Sequence, residues 1–372
     1  MIPPRGFVSR GFVSLGLILL LVIGLIALGG AGWYLMYHPL QIPNDTVATT
    51  TAEATPSTFS TEPTADYEKQ RNLLLLGPNG STFAIYTVHA DGTGKTVLTN
   101  DGNSPSWTPD GKIIFTSKRS GSQQIWIMDA AGGNAKQIGS LPTSTLPVMP
   151  QMGKNGLIVF MGNDATTEPD GNTGIWMMQK DGSGLKELTR GMQPSLALSG
   201  TWVAYVIQTN APYHREIWRI NTDGTGLKQL TFLGSPDYPD ANAPNISPDE
   251  QTIAFFSGKE SDRMLPGAPQ QSVFDYGYRN VAIIPAIGGT RKTLTPCRPV
   301  TTQAQLNVAT EASGHCIAAD NPAWTPDGKW IIFDIGFSTG GGTWMVDING
   351  QNFQKLYSDA RGTVRVPLKY LP

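Results

Sequence analysis

Pro105-Ser106-Trp107-Thr108-Pro109-Asp110-Gly111-Lys112 runs straight into Ile113-Ile114-Phe115. Near the other end of the chain it returns as Pro322-Ala323-Trp324-Thr325-Pro326-Asp327-Gly328-Lys329, followed by Trp330-Ile331-Ile332-Phe333. A weaker copy is Pro244-Asn245-Ile246-Ser247-Pro248-Asp249-Glu250 before Thr252-Ile253-Ala254-Phe255-Phe256, and eroded forms lie at Pro194–Trp202 and near Pro150–Phe160. Pro-Asp-Gly is a turn with a mechanism: Pro sets its own φ, Asp bonds the backbone ahead, and Gly accepts positive φ. The apolar runs on either side have strand length.

A second element recurs between these copies, an apolar strand with Trp or Tyr, a Gly-containing turn, and a short basic-to-apolar strand. It is seen at Tyr86 to Thr99, Trp126 to Ile138, Trp176 to Thr189 and Trp218 to Thr231, and in degenerate form at Ala282 to Thr295 and Trp344 to Leu356. Self-similarity at this period means a repeat architecture. One unit reads as strand, Pro-Asp-Gly turn, strand, longer loop, Trp strand, Asp-Gly turn, outer strand, the make-up of a propeller blade.

The expectation is an all-β fold, a six-bladed β-propeller over residues 71–372. Blades 2 to 6 run at about 103–140, 145–190, 193–232, 243–296 and 321–357, and residues 71–100 hold three further strands. The strand missing from that first blade is expected from Thr363–Tyr370, which pairs the two ends and removes an exposed sheet edge.

These motifs resemble the six-bladed repeats of the TolB-like propellers, over residues 71–370. The resemblance implies the fold. It is unspecific for function, because such propellers serve binding proteins, enzyme accessory domains and a few enzymes. TolB proteins also carry an extra N-terminal domain and a cleaved signal. Residues 41–70 leave no room for that domain, so a Tol–Pal role is not implied.

Bulk composition narrows the partners. The 372 residues carry net charge −2 with no basic stripe of the kind that tracks a phosphate backbone, so nucleic acid is not an expected partner. Abundant Gly (42) and Pro (28) suit many tight turns.

Gly11 to Tyr37 contains no Asp, Glu, Lys or Arg, which is 37 − 11 + 1 = 27 residues. As a helix it is long enough for a hydrocarbon core of about 30 Å. Arg5 and Arg10 precede it, and Asp45 is the first charge after it. The positive-inside bias then puts residues 1–10 in the cytoplasm as a stub and the rest outside, with a transmembrane helix at 11–37. A cleaved signal peptide ending near Ala27–Ala31 is the rival. Apolar sequence continues through Trp33-Tyr34-Leu35-Met36, which favours an uncleaved signal anchor. Residues 38–70 are a Thr/Pro-rich linker, read as a disordered stalk.

Candidate sites are few. Trp126, Trp176, Trp218 and Trp344 recur at one position, which favours inter-blade core over a sugar-stacking row. Asp91, Asp181 and Asp223 sit in Asp-Gly-x-Gly segments, which read as hairpin turns rather than calcium loops. Gly92–Thr96 fails as a phosphate loop, and Gly336–Gly340 fails as a hydrolase nucleophile elbow. The four His (His38, His89, His214, His315) show no metal spacing. No cofactor, metal or catalytic residue is therefore assigned. Cys297 and Cys316 are most simply a disulfide in an extracytoplasmic setting.

Two insertions break the repeat, Gly258–Asn280 and Pro296–Ala319. The first carries Glu260, Asp262, Arg263, Phe274, Tyr276 and Tyr278. Aromatics beside Arg suit a binding surface, and packing on one another is the alternative. The expected function is non-catalytic binding of an envelope protein or glycan. A hydrolase or lyase built in the channel and a passive envelope spacer are the rivals.

Overall fold

The computed structural model describes residues 72–79, 82–89, 92–162, 173–208, 215–232, 240–259, 278–297, 318–337, 340–359 and 365–366. The expected stub, membrane segment and stalk lie outside the described residues. Among those described, every regular element is a strand, and no helix is long and apolar enough to cross a membrane.

The first sheet holds β1 (Asn72–Asn79), β2 (Thr82–His89) and β3 (Thr96–Thr99), and the second holds β4 (Asn103–Trp107), β5 (Ile113–Ser117), β6 (Gln124–Met128) and β7 (Lys136–Gln137). A long continuous sheet follows. It contains β8 (Val148–Met152), β9 (Leu157–Gly162), β10 (Thr173–Gln179), β11 (Lys186–Leu196), β12 (Trp202–Gln208), β13 (Arg215–Asn221) and β14 (Lys228–Gln229). It continues through β15 (Asp240–Ile246), β16 (Thr252–Lys259), β17 (Tyr278–Pro285) and β18 (Lys292–Thr293). The last full sheet is β19 (Ala318–Trp324), β20 (Trp330–Phe337), β21 (Gly340–Asp347) and β22 (Gln354–Asp359). β23 (Arg365–Val366) returns to pair antiparallel with β1, Leu74 opposite Val366 and Leu75 opposite Arg365. The C-terminal segment thus supplies the strand that the sequence leaves missing at the start.

Within the long sheet, antiparallel pairing runs β8-β9-β10-β11, then β11-β12-β13-β14, then β15-β16-β17-β18. β11 serves two sets. Its first half is the outer strand against β10, and its second half is the inner strand against β12. A parallel bridge between Arg215 and Asp240 joins the third set.

The inner strands share a kink. Ser104, Met149, Gln193 and Ala243, each directly before a proline, hold φ between 48° and 53°. Pairing slips by the same amount at each, and again at Asp320/Ala323. A residue before proline ordinarily stays extended. Here the left-handed backbone makes a bulge that bends the inner strand, and the strain is offset by bonds from neighbouring units. Leu196 N–H donates to Gln151 Oε1 at 2.9 Å, and Gln151 Nε2 donates to the Pro194 carbonyl at 2.8 Å. Ala243 N–H donates to Gln193 Oε1 at 2.9 Å, Ile246 N–H to Ser195 Oγ at 3.1 Å, and Trp324 Nε1 to the Asn245 carbonyl at 2.9 Å.

The tryptophans divide into two classes. Trp107 and Trp324, from the Pro-x-Trp element, are buried in the core, as are Trp202, which opens β12, and Trp344. Trp126, Trp176 and Trp218 are only half-buried, and the Ile directly before each is fully buried instead. Each of the three still packs against a cluster that joins adjacent sheets, Trp126 on that of Leu75 and Ile113, Trp176 on that of Ile114 and Phe160, and Trp218 on that of Val159 and Tyr205, so the expected inter-blade role holds for all four while full burial is reached only by Trp344. The other three lie on the flank of the core, where a flat ring can carry a cation. The Arg119 guanidinium stands 5.0 Å from the Trp126 ring and 5.1 Å from Phe115, and it donates to Thr99 Oγ1 and the Asp101 carbonyl of the preceding sheet.

Candidate functional site

Strand direction sorts the connections. In the sets from β4 to β22 the first-to-second and third-to-fourth links are tight turns at one end, as is the β2-to-β3 link of the first set. The second-to-third links, and the links to the next set, fall at the opposite end.

At the turn end the polar side chains are already satisfied. The Thr108 hydroxyl donates to Asp110 and accepts from Lys112 N–H at 3.0 Å, and Thr325 does the same with Asp327 and Trp330 N–H. Glu250 stands where the repeat has Gly and takes φ 62°. Its carboxylate accepts from Ser199 N–H at 2.6 Å, Ser199 Oγ at 3.0 Å and Trp202 Nε1 at 3.1 Å. Arg219 stacks 4.2 Å from the Trp202 ring and donates to the Ala286 carbonyl at 2.8 Å. Burial lowers its pKa, against the opposing pull of Glu250.

Asp181 Oδ1 accepts from Ser183 Oγ at 2.6 Å and Ser183 N–H at 2.9 Å, and Asp223 does the same with Thr225 at 2.7 and 2.8 Å. The hydroxyl donors, then the amides, hold both carboxyls below the usual aspartate range. These are self-capped turns, as expected, and Asp91 lies outside the described residues. Among the described residues no three His, Cys, Asp or Glu groups gather with metal-site geometry. Gly92–Thr96 leads into strand β3, and β20 and β21 flank the Gly336–Gly340 segment, so neither has the helix its motif needs. Of the four His only His89 is described.

The opposite end carries the length variation. Both insertions leave from it: β16 ends at Lys259 and β17 begins at Tyr278 opposite it, and the link from β18 to β19 departs after Cys297. Asp262, Arg263, Phe274 and Tyr276 lie outside the described residues, and Tyr278 is the first residue of β17. Cys297 is buried and is not a free thiol, and Cys316 lies outside the described residues.

Sequence reading missed a device at this end. Two residues before the recurring Trp position stand Gln124, Glu216 and Asn280, all buried. Gln124 Oε1 accepts from Leu141 N–H at 2.8 Å while its Nε2 donates to the Leu141 carbonyl at 3.0 Å. Asn280 grips Cys297 likewise, N–H to Oδ1 at 3.0 Å and Nδ2 to carbonyl at 3.2 Å, and it also accepts from Thr295 Oγ1 at 2.8 Å. Each amide clasps the start of the connection leaving its set. The signal was in the sequence as a polar residue on an otherwise apolar strand, repeated at one register.

The same end shows exposed apolar groups. Phe232, just past β14, is 76 % exposed, and Leu146 and Met149 are exposed with left-handed φ of 41° and 53°. The kink positions of the inner strands, Ser104, Met149, Gln193 and Ala243, are all uncharged.

The TolB beta propeller domain matches residues 68–235. The Tol-Pal system protein TolB of Anaeromyxobacter dehalogenans is 32% identical over 126 residues, which is 32% of this chain and 27% of that protein. The chain thus spans about a quarter of the length of that relative. The crystal structure of TolB from Acinetobacter baumannii superimposes with TM-score 0.54 at 18% identity, covering 80% of this chain and 66% of that one. The structure of a putative TolB from Agrobacterium tumefaciens gives 0.53 at 13% identity, covering 80% and 91%. The described region thus has the β-propeller fold, and its first half is similar to the TolB propeller domain.

Proposed function

We propose that this chain is a membrane-anchored, extracytoplasmic six-bladed propeller that binds an envelope protein or glycan at its loop end without catalysing a reaction. The observation that carries the reading is the segregation of connections: tight self-capped turns at one end, and both insertions leaving from the other. Loops of variable length on a rigid scaffold are where binding specificity resides. The six-blade count is supported by the six pairing sets, the first completed by β23. The anchor and its orientation rest on the charge-free segment 11–37 behind Arg5 and Arg10.

Within this reading, Asp262, Arg263, Phe274, Tyr276 and Tyr278 form the recognition segment of the first insertion. A Cys297–Cys316 disulfide closes the second, and it is supported by the absence of a free thiol at Cys297. Binding is favoured over catalysis because the described kink positions of the inner strands are neutral, and Gln151 and Gln193 are already bonded to backbone. The relatives named for a Tol-Pal system make a protein partner in the cell envelope the first class to test.

The test is crosslinking in intact cells with tagged full-length protein beside a variant lacking residues 262–278. One dominant partner that disappears in the variant is the expected result. An unchanged crosslinking pattern would remove the loop end as the binding face.

A further inference from the structure

The links between sets at the loop end are uneven. β7 ends at Gln137 and β8 begins at Val148, and β14 ends at Gln229 and β15 begins at Asp240. Between these two long links, β11 passes from one set to the next as a single unbroken strand. The rim therefore dips over the middle of β11, with a link as a wall on either side.

The walls present apolar side chains. Leu146 is 45 % exposed and Met149 40 % on one side, and Phe232 stands on the other. Leu146 and Met149 each precede a proline and hold left-handed backbone. That conformation is costly for a bulky residue and persists only where the surroundings impose it. Here the anchors are explicit. Gln124 holds Leu141 at both its N–H and its carbonyl, Thr145 is buried with its N–H donating to the Pro142 carbonyl at 3.0 Å, and Gln123 Nε2 donates to the Pro147 carbonyl at 2.6 Å. Pro147 and Pro150 are buried. The link is thus pinned on both sides of Leu146, and the strained positions turn their side chains to solvent. Ile287 and Ile348 at the turn end are exposed as well, but neither holds left-handed backbone.

We propose that this dip, walled by Leu146 and Met149 on one side and Phe232 on the other, docks an uncharged, apolar segment of a protein partner. The walls carry no charge, and Arg190 on β11 stands 3.9 Å from Glu187. The amides nearby are committed to backbone, Gln123 and Gln124 within the wall and Gln151 and Gln193 on the inner strands. Leu and Phe side chains offer no hydrogen bond to a sugar hydroxyl, and a Met thioether is a weak acceptor. Apolar side chains of a protein are what they match, and strain held to display them marks a functional position. The inference rests on the loop-end binding reading and favours its protein form over its glycan form.

The test selects peptides from a random display library on the full-length protein and measures the dominant peptide by fluorescence anisotropy. That peptide should carry neighbouring apolar residues. The double variant Leu146→Asn, Met149→Asn removes both side chains and suits left-handed backbone. Peptide affinity should fall at least tenfold in it, while its melting midpoint stays no lower than the parent's. Phe232→Ser should weaken binding at least threefold, and the turn-end pair Ile287→Ser, Ile348→Ser should leave it unchanged. Affinity surviving in the Asn pair or in Phe232→Ser, an equal loss in the turn-end pair, or a lower melting midpoint in the Asn pair would overturn the proposal. So would binding of N-acetylglucosamine oligomers that the Asn pair abolishes. Peptide binding that appears only after removal of residues 262–278 would make that segment the occupant, and would also overturn it. In the cellular crosslinking test, a partner lost on that removal but kept in the Asn pair sinks this site alone and leaves the loop-end reading standing.

Discussion

The two ends of this propeller are built on opposite principles. At the turn end, connections are short and each closes on its own side chain, so Thr108 with Asp110, Thr325 with Asp327, and Asp223 with Thr225 repeat one local solution. At the loop end, connections differ in length, and order is imposed from a distance by a strand residue 14 to 17 positions away, as with Gln124 on Leu141, Asn280 on Cys297 and Ile217 on Thr231. The difference teaches that the repeat conserves its rigid end by local chemistry and frees the other end for variation.

The comparison can be broken most severely at closure. Deleting residues 363–372 removes β23 and exposes the β1 edge, and the cooperative thermal transition should be lost in circular dichroism. A full-length-like transition would mean that closure does not depend on this strand.

At the turn end, Glu250→Ala removes three hydrogen bonds to a carboxylate and should cost about 2–4 kcal/mol in urea unfolding. Glu250→Gly loses the same bonds but relieves the left-handed backbone, so it should be about 1 kcal/mol less harmful. Equal losses would mean that position 250 carries no backbone strain.

Gly111→Ala and Gly328→Ala place a side chain at φ of 76° and 68° and should each cost about 1 kcal/mol. Gly133→Ala, where an added Cβ meets nothing within 4 Å, serves as the silent control. At the loop end, removing residues 262–278 should shift the melting midpoint by only a few degrees, since shortening a surface loop changes closure entropy slowly. A collapse of stability there would show that the insertion packs as core.

The smallest expected effect is acid sensitivity of the turns. Asp181 and Asp223 are held below the usual aspartate value by Ser183 and Thr225. Their contribution is therefore present above about pH 4 and fades as pH falls through the lowered values. The double variant Asp181→Asn, Asp223→Asn should flatten the melting midpoint between pH 2.5 and 5 relative to the parent.

Much of this was legible because the decisive chemistry is local. Pro-Asp-Gly and Asp-Gly act within four residues, so turn positions, strand order and the missing first strand could be read from the chain. The half-burial of Trp126, Trp176 and Trp218 could not, because identical placement does not say how completely the neighbouring blade covers each ring. Of the predicted binding segment, only Tyr278 falls among the described residues.

By itself, then, the chain determined a repeat of four strands with self-capped turns, since those bonds join residues adjacent in sequence. Only the tertiary structure decided that residues before Pro105, Pro150, Pro194 and Pro244 turn left-handed. It also decided that Glu250 bonds a turn 51 residues earlier, and that β11 is shared between two sets. The physical reason is common to all three. Each is locally unfavourable or locally neutral, and becomes stable only when the neighbouring blade supplies the partner.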